Sequence, residues 1–210
     1  MTKAISRLFW LSACITTMLL LMSCVRTVPL DKGIVLDTNS TTKLDAKVLV
    51  SMDRASSEKV VIFKPGPFAD KFSLKAGESI KSNILAFVTT KFQQVDFVNN
   101  YSEATAPYDY YLTINWKDHK IDMGNSIFSN TKTNIYIDYK FMNSQKEALF
   151  TSVTDGNSVN RLSGGEIVSA INPFVFIGTK RAENLIANSW NDALANSISA
   201  FDMELEKQIK

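Results

Sequence analysis

Few side chains in this chain could carry out chemistry. Among its 210 residues there is one histidine and there are two cysteines. A Ser-His-Asp arrangement would have to use His119, and a paired-histidine metal site is impossible. His119 sits in KDHKID, the charged end of a predicted strand, beside Asp118 and Asp122. It reads as an exposed, solvated imidazole. Asp118 and Asp122 could form a weak divalent-cation site, but neither EF-hand spacing nor a second acidic cluster supports them. RLSGGE, residues 161–166, holds the Gly-Gly pair of the chain and lacks the lysine and the spacing of a phosphate loop, so it reads as a flexible turn. These residues assemble no catalytic set, no metal site and no cofactor site, and the chain is read as a non-enzyme.

The cysteines belong to a different chemistry. MTKAISRLFWLSACITTMLLLMSC places Lys3 and Arg7 before a hydrophobic run that ends in the small Ser23 and Cys24, the order of a secretory signal. Ser12, Thr16 and Thr17 break the run, which falls short of the roughly 20 apolar residues that cross a bilayer comfortably. The ending LMSC resembles the lipobox of bacterial lipoproteins, with Leu21 three residues before Cys24. The alternatives are an ordinary leader with a chance cysteine or an uncleaved anchor. The resemblance implies that Cys24 takes diacylglycerol, that cleavage falls between Ser23 and Cys24, and that the freed amine is then acylated. Residues 1–23 are then the signal peptide. By the same resemblance, Val25 in place of an aspartate after the cysteine favours the outer membrane, with the domain facing the periplasm.

Loss of the leader takes two of the 23 basic residues and none of the 21 acidic ones, so the remaining charges balance. No electrostatic case for a nucleic-acid or polybasic membrane partner remains. Cys14 leaves with the leader and Cys24 is consumed by lipid, so no disulfide can form despite an oxidising compartment. A hydrophobic core must hold the fold together. From Val25 to about Asp45 the chain is polar and punctuated by Pro29, Gly33 and a Thr/Asn/Ser cluster. Residues 24–45 are read as a lipidated tether and residues 46–210 as the folded domain.

Within that domain AKVLVSMD and EKVVIFKPG read as strands. Ile80, Ile84, Phe87, Val88, Lys91 and Phe92 then recur at helical spacing, a stripe on a helix of about four turns starting near Gly77. YDYYLTINWKDHKI alternates with Tyr110, Leu112, Ile114 and Trp116 on one face. KTNIYIDYKF repeats the pattern with Thr133, Ile135, Ile137, Tyr139 and Phe141, and MNSQKE turns it into ALFTSVTDG as a hairpin. The last stretch is a long helix with Ile186, Trp190, Leu194, Ile198, Phe201 and Leu205 on one side, and Asn and Ser on the other. The predicted fold is α+β: a single two-layer domain, a mostly antiparallel sheet of about five strands with two helices on one face, in the order ββαβββα.

That order, with the lipobox, GESIKSNILAFVTTKF and APYDYYLTI, resembles small outer-membrane lipoproteins of the lipopolysaccharide-assembly type and related short envelope lipoproteins. The resemblance implies an accessory or interaction subunit of an envelope assembly or transport complex, with an envelope protein as partner and the membrane reached through the N-terminal lipid. GGEIVSAINPFVFIGTK is the stretch outside this pattern. Ile171, Phe174, Val175, Phe176 and Ile177 make it as apolar as a strand, yet Asn172 and Pro173 break it. It reads either as a core-packed connection or as an exposed contact for a partner. A second functional reading is a binder of lipid or glycan on the sheet face that carries Tyr111 and Tyr136.

The anchoring expectation has a direct test. Cys24→Ala should abolish metabolic labelling with palmitate and leave unprocessed precursor or soluble protein, and normal labelling of the variant would overturn the lipoprotein reading.

Overall fold

The computed structural model describes residues 25–30, 43–64, 71–100, 107–123, 130–160 and 178–209. Among them the chain runs β1 (Val25–Val28), β2 (Leu44–Met52), α1 (Arg54–Ser57), β3 (Val61–Phe63), β4 (Lys71–Leu74), α2 (Ala76–Lys91) and β5 (Phe92–Val98). It continues with β6 (Tyr110–Asp122), β7 (Thr131–Asn143), β8 (Ala148–Asn160) and α3 (Gly178–Gln208). The fold is mixed α+β, as expected, but its strands form two sheets. Five strands lie in the order β5-β2-β6-β7-β8, and three in the order β1-β4-β3.

The expected single sheet fails at β2. Both edges of β2 are occupied by parallel neighbours, β5 on one side and β6 on the other, so β3 has no edge to join. After β2 the chain turns through α1, capped by the Asp53 carboxylate accepting from the Ser56 N–H at 2.8 Å. The three-residue β3 pairs instead with β4, antiparallel, and β4 pairs in parallel with β1. Val25–Val28, read from sequence as the start of a tether, is therefore a strand of the folded domain, and Leu44 and Asp45 already belong to β2. Return to the main sheet comes through α2, the helical crossover that a parallel pair requires.

Helix α2 buries the predicted stripe of Ile80, Ile84, Phe87, Val88 and Lys91. Phe92, assigned to that stripe, instead opens β5 and is buried in the core. Strand β7 alternates as expected, with Thr133, Ile135, Ile137, Tyr139 and Phe141 turned inward. It forms antiparallel pairs with β6 and β8. A bulge between Trp116 and Asp118 interrupts β6. One extra residue there reverses the parity of everything beyond it.

Helix α3 covers β7 and β8, and its apolar stripe from Ile186 to Leu205 is buried without exception. The expectation that Ser and Asn fill its opposite face is corrected, because Ser189, Asn191 and Ser197 are buried too. Ser189 donates to Thr133 Oγ1 at 2.8 Å and bonds the Ser158 hydroxyl at 2.8 Å. Ser197 bonds the Thr154 hydroxyl and the Tyr139 phenol, the latter at 3.1 Å. Burial pushes the Tyr139 phenol far above its ordinary range, so it stays a neutral hydrogen-bonding group. Lys91, almost fully buried, reaches Asp202 at 2.7 Å and Glu206 at 3.0 Å and ties α2 to α3. Burial works against its charge, but the bonds and charges of Asp202 and Glu206 outweigh it and hold the ammonium above its ordinary pKa.

Gly156 sets the distance between α3 and the sheet, since a Cβ there would lie 2.0 Å from the Ala193 carbonyl oxygen. Gly156→Ala should cost about 1–3 kcal/mol or more, because a helix backbone must move to admit the methyl. Chemical denaturation checks this, and an unchanged midpoint would mean that α3 does not sit tightly on β8.

Candidate functional site

The sequence-predicted site residues are scattered. Ser23 and Cys24 lie outside the described residues, as does the segment with Ile171, Phe174, Val175, Phe176 and Ile177. RLSGGE lies outside them as well. Asp118 and Asp122 are placed, four positions apart on one extended strand. That separates them by about 13 Å, too far to share a cation. Among the described residues no cluster of His, Cys, Asp or Glu could hold a metal ion.

His119 is not the exposed residue expected from its charged neighbours. The β6 bulge turns it inward and leaves it half-buried. Its ring lies 5.3 Å from that of Trp116 and 6.2 Å from that of Trp190. The two indoles meet edge to face at 6.0 Å, and the Lys59 ammonium lies 4.4 Å from the Trp116 ring centre. His119 Nδ1 and Trp190 Nε1 are buried without a hydrogen-bond partner among the described residues. Burial pulls the imidazole below its ordinary pKa, Lys59 adds to that, and Asp118 opposes it. The imidazole packs against both indoles, and among the described residues no hydroxyl, thiol or carboxylate is bonded to its ring.

Neither tyrosine offered for ligand binding forms an open platform with the other. Tyr111 is only 6% exposed and packs with Leu49, Tyr108 and Met142 in a small second core on the outer side of the sheet. Lys47 lies over Tyr108 at 4.6 Å and Lys146 over Tyr111 at 5.3 Å, covering the rings that a sugar would need. Tyr136 is partly exposed on β7, beside Asp138 and Asn134. A cleft of about 370 Å³ lies where α1, β3, α2 and the end of β5 meet, lined by Lys59, Lys75, Lys81, Glu58, Glu78 and Asn99. Its charges are committed within the chain: Lys75 pairs with Glu78 at 3.5 Å, Glu58 with Arg54 at 2.8 Å, and Lys81 stacks on Phe97 at 3.9 Å.

The more open surface is the edge strand β8. Its even-numbered residues Thr154, Gly156 and Ser158 face α3, and the odd-numbered residues Thr151, Val153, Asp155, Asn157 and Val159 face outward. Asn196 donates to the Asn157 carbonyl at 2.7 Å, which marks the odd-numbered backbone groups as those turned away from β7. That bond caps the Asn157 carbonyl, and close by the Asn160 side chain donates to the Asp192 carboxylate at 2.9 Å, tying this end of β8 to α3. No described strand covers the stretch from Phe150 to Asp155, which follows a bulge at Leu149 and carries Val153 at 73% exposure and neither lysine nor proline. Hydropathy does not reveal this edge, because the buried face of β8 is made of hydroxyls and glycine.

No protein-family model matches the chain, and no curated protein matches its sequence. Among solved structures it is similar to a Xanthomonas campestris protein of the family DUF330, with 11% identity over 88% of this chain and 99% of that one and a TM-score of 0.46. It is also similar to a minor lipoprotein from Acinetobacter baumannii, with 10% identity over 79% of this chain and 96% of that one and a TM-score of 0.41. At these values the likeness is too coarse to carry a function. No helix among the described residues is long and apolar enough to cross a membrane.

The His119 environment predicts a pH dependence. Because its folded pKa lies below the unfolded value of about 6.5, the unfolded chain binds more protons in the interval between the two. The folded state is therefore unpenalised above about pH 6.5 and loses stability as pH falls toward the depressed folded pKa. Thermal melts should show a smaller loss between neutral and mildly acidic pH for His119→Gln than for the parent, and equal losses would contradict the burial of the ring.

Proposed function

We propose that this chain is a lipid-anchored, non-enzymatic protein of the bacterial envelope, held at the periplasmic side of the outer membrane through Cys24. In this reading it serves as an accessory or interaction subunit of an envelope assembly or transport complex. The observation that carries the binding role is the uncapped half of β8. Natural sheets blunt an open edge with lysine, proline, a bulge or a covering element. Asn196 does so at the Asn157 carbonyl and a bulge does so at Leu149, whereas Phe150 to Asp155, between them, has none of these among the described residues. A strand from a partner protein could add there, drawing affinity from main-chain hydrogen bonds and contacting the exposed Val153. The lipid- or glycan-binding alternative has less support, since Tyr111 is covered.

The test uses the intact lipoprotein. Val153→Pro removes an N–H that points away from β7 and places a ring where an added strand would approach, so the fold should survive. The parent should co-purify with a stoichiometric envelope protein, while the variant melts within a few degrees of it and loses that partner. Retention of the partner by the folded variant would move the contact surface elsewhere.

A further inference from the structure

Val25, the residue after the proposed lipidation site, pairs directly with Lys71 in the small sheet. The register of β3 on β4 sets Phe63 opposite Phe72, so Lys64, one residue on, comes level with Lys71. Burial alternates so that Val28, Phe72, Leu74 and Val61 face the core, whereas Val25, Lys71, Ile62 and Lys64 face outward. The outer surface of this sheet thus carries a row of Val25, Lys71 and Lys64, with Ile62 behind it. Val25 is 51% exposed and Ile62 60%. Arg26, on the inner face, reaches Glu183 of α3 at 3.9 Å. One helical turn from Glu183, Lys180 is also exposed, so it adds a further cation at this end.

We propose that this outer face of the three-stranded sheet is a membrane-docking surface that rests on the lipid headgroups. The proposal rests on lipidation at Cys24 and goes beyond it, because it fixes how the domain stands on the bilayer. A tether of twenty flexible residues would let the domain tumble at about 25 Å from the surface. Here the chain is committed to a strand from Val25 onward, so acyl chains on Cys24 emerge within a residue of the row. Two ammonium groups beside two exposed aliphatic side chains match an interface of phosphates over hydrocarbon. Lysine heads reach the phosphates while their stems and the aliphatics lie against the upper chain region. Neither Lys64 nor Lys71 forms an ion pair with another described residue.

The experiment places the mature, lipidated chain in vesicles of phosphatidylethanolamine and phosphatidylglycerol that carry a headgroup nitroxide lipid. With Cys14 removed and Cys24 acylated, Ile62→Cys and Ser144→Cys each give a single thiol for a fluorophore. Ser144 lies in the β7–β8 turn, at the end of the sheet away from Asp122 and Asn160. The label at 62 should be quenched severalfold more than the label at 144. Adding Lys64→Glu and Lys71→Glu should bring quenching at 62 down toward the level at 144, since each lysine near an anionic surface favours contact by about fivefold. Lipidated protein with both labels quenched equally overturns the docking and leaves the anchoring intact. Unaltered quenching in the charge-reversed chain overturns the role of the lysines. A parent chain that takes up no lipid label overturns anchoring and docking together.

Discussion

Helix α3 is seated on the sheet at one point of near contact, where the Ala193 carbonyl meets the bare backbone of Gly156. At that separation bulky aliphatics cannot fill the layer over β8, so hydroxyls do. Thr133, Ser158 and Ser189 form one bonded group, and Tyr139, Thr154 and Ser197 another. Each buried hydroxyl would cost about 1–3 kcal/mol if left without a partner, so the two groups tolerate only one axial position and rotation of the helix. A slip by one residue would break both. The apolar stripe then falls where it must: Phe201 stacks on Tyr139 at 4.5 Å, Trp190 meets Trp116, and Asp202 receives Lys91. That last pair, with Phe87 meeting Phe201 edge to face at 6.0 Å, ties α2 to α3, and α2 leads directly into β5.

The same seating explains which parts of the fold could be read from sequence. Strand β7 was legible because one face is covered by aliphatic and aromatic side chains and the other is wet, so its hydropathy alternates with period two. Strand β8 was legible only as the return of a hairpin, since Thr154, Gly156 and Ser158 bury polar atoms that hydropathy assigns to solvent. Ser189 and Ser197 were placed on the wrong side of α3 for the same reason. The long helix and its stripe were plain, because a helix of that length must bury one face and its large side chains recur at helical spacing.

Other misses have local causes. VRTV and KFSL are four residues each, too short for alternation to stand out from the neighbouring turn residues. FQQVDFV follows α2 without a break, and Phe92 fits the helical stripe as well as it fits the first position of β5. His119 was misplaced by a single residue. Without the bulge at Lys117 it would share the outer face with Asn115 and Lys117; with it, the imidazole turns in beside Trp116 and Trp190. Of the site residues, the proposed lipidation site is read from residue types in order, since a lipobox resemblance belongs to a linear segment. The open edge of β8 and the row of Val25, Lys71 and Lys64 exist only through strand pairing, which no local pattern encodes.

In the proposed arrangement these two surfaces divide the work by distance. Asn160 lies opposite Asp192 of α3, and Glu183, which meets Arg26 beside Val25, lies further toward the start of that helix. The C-terminal end of β8 and the docking row therefore stand at the same end of the domain. Over that portion Asn196 caps the Asn157 carbonyl and Asp192 holds the Asn160 side chain. The uncovered stretch begins at Asp155, about 16 Å along the strand from Asn160. A partner strand added at Phe150 to Asp155 would therefore lie clear of the headgroups, on the side of the domain that faces the aqueous compartment. Side chains of α3 cap the edge where the bilayer would crowd a partner, and the edge is open where a second protein has room to approach.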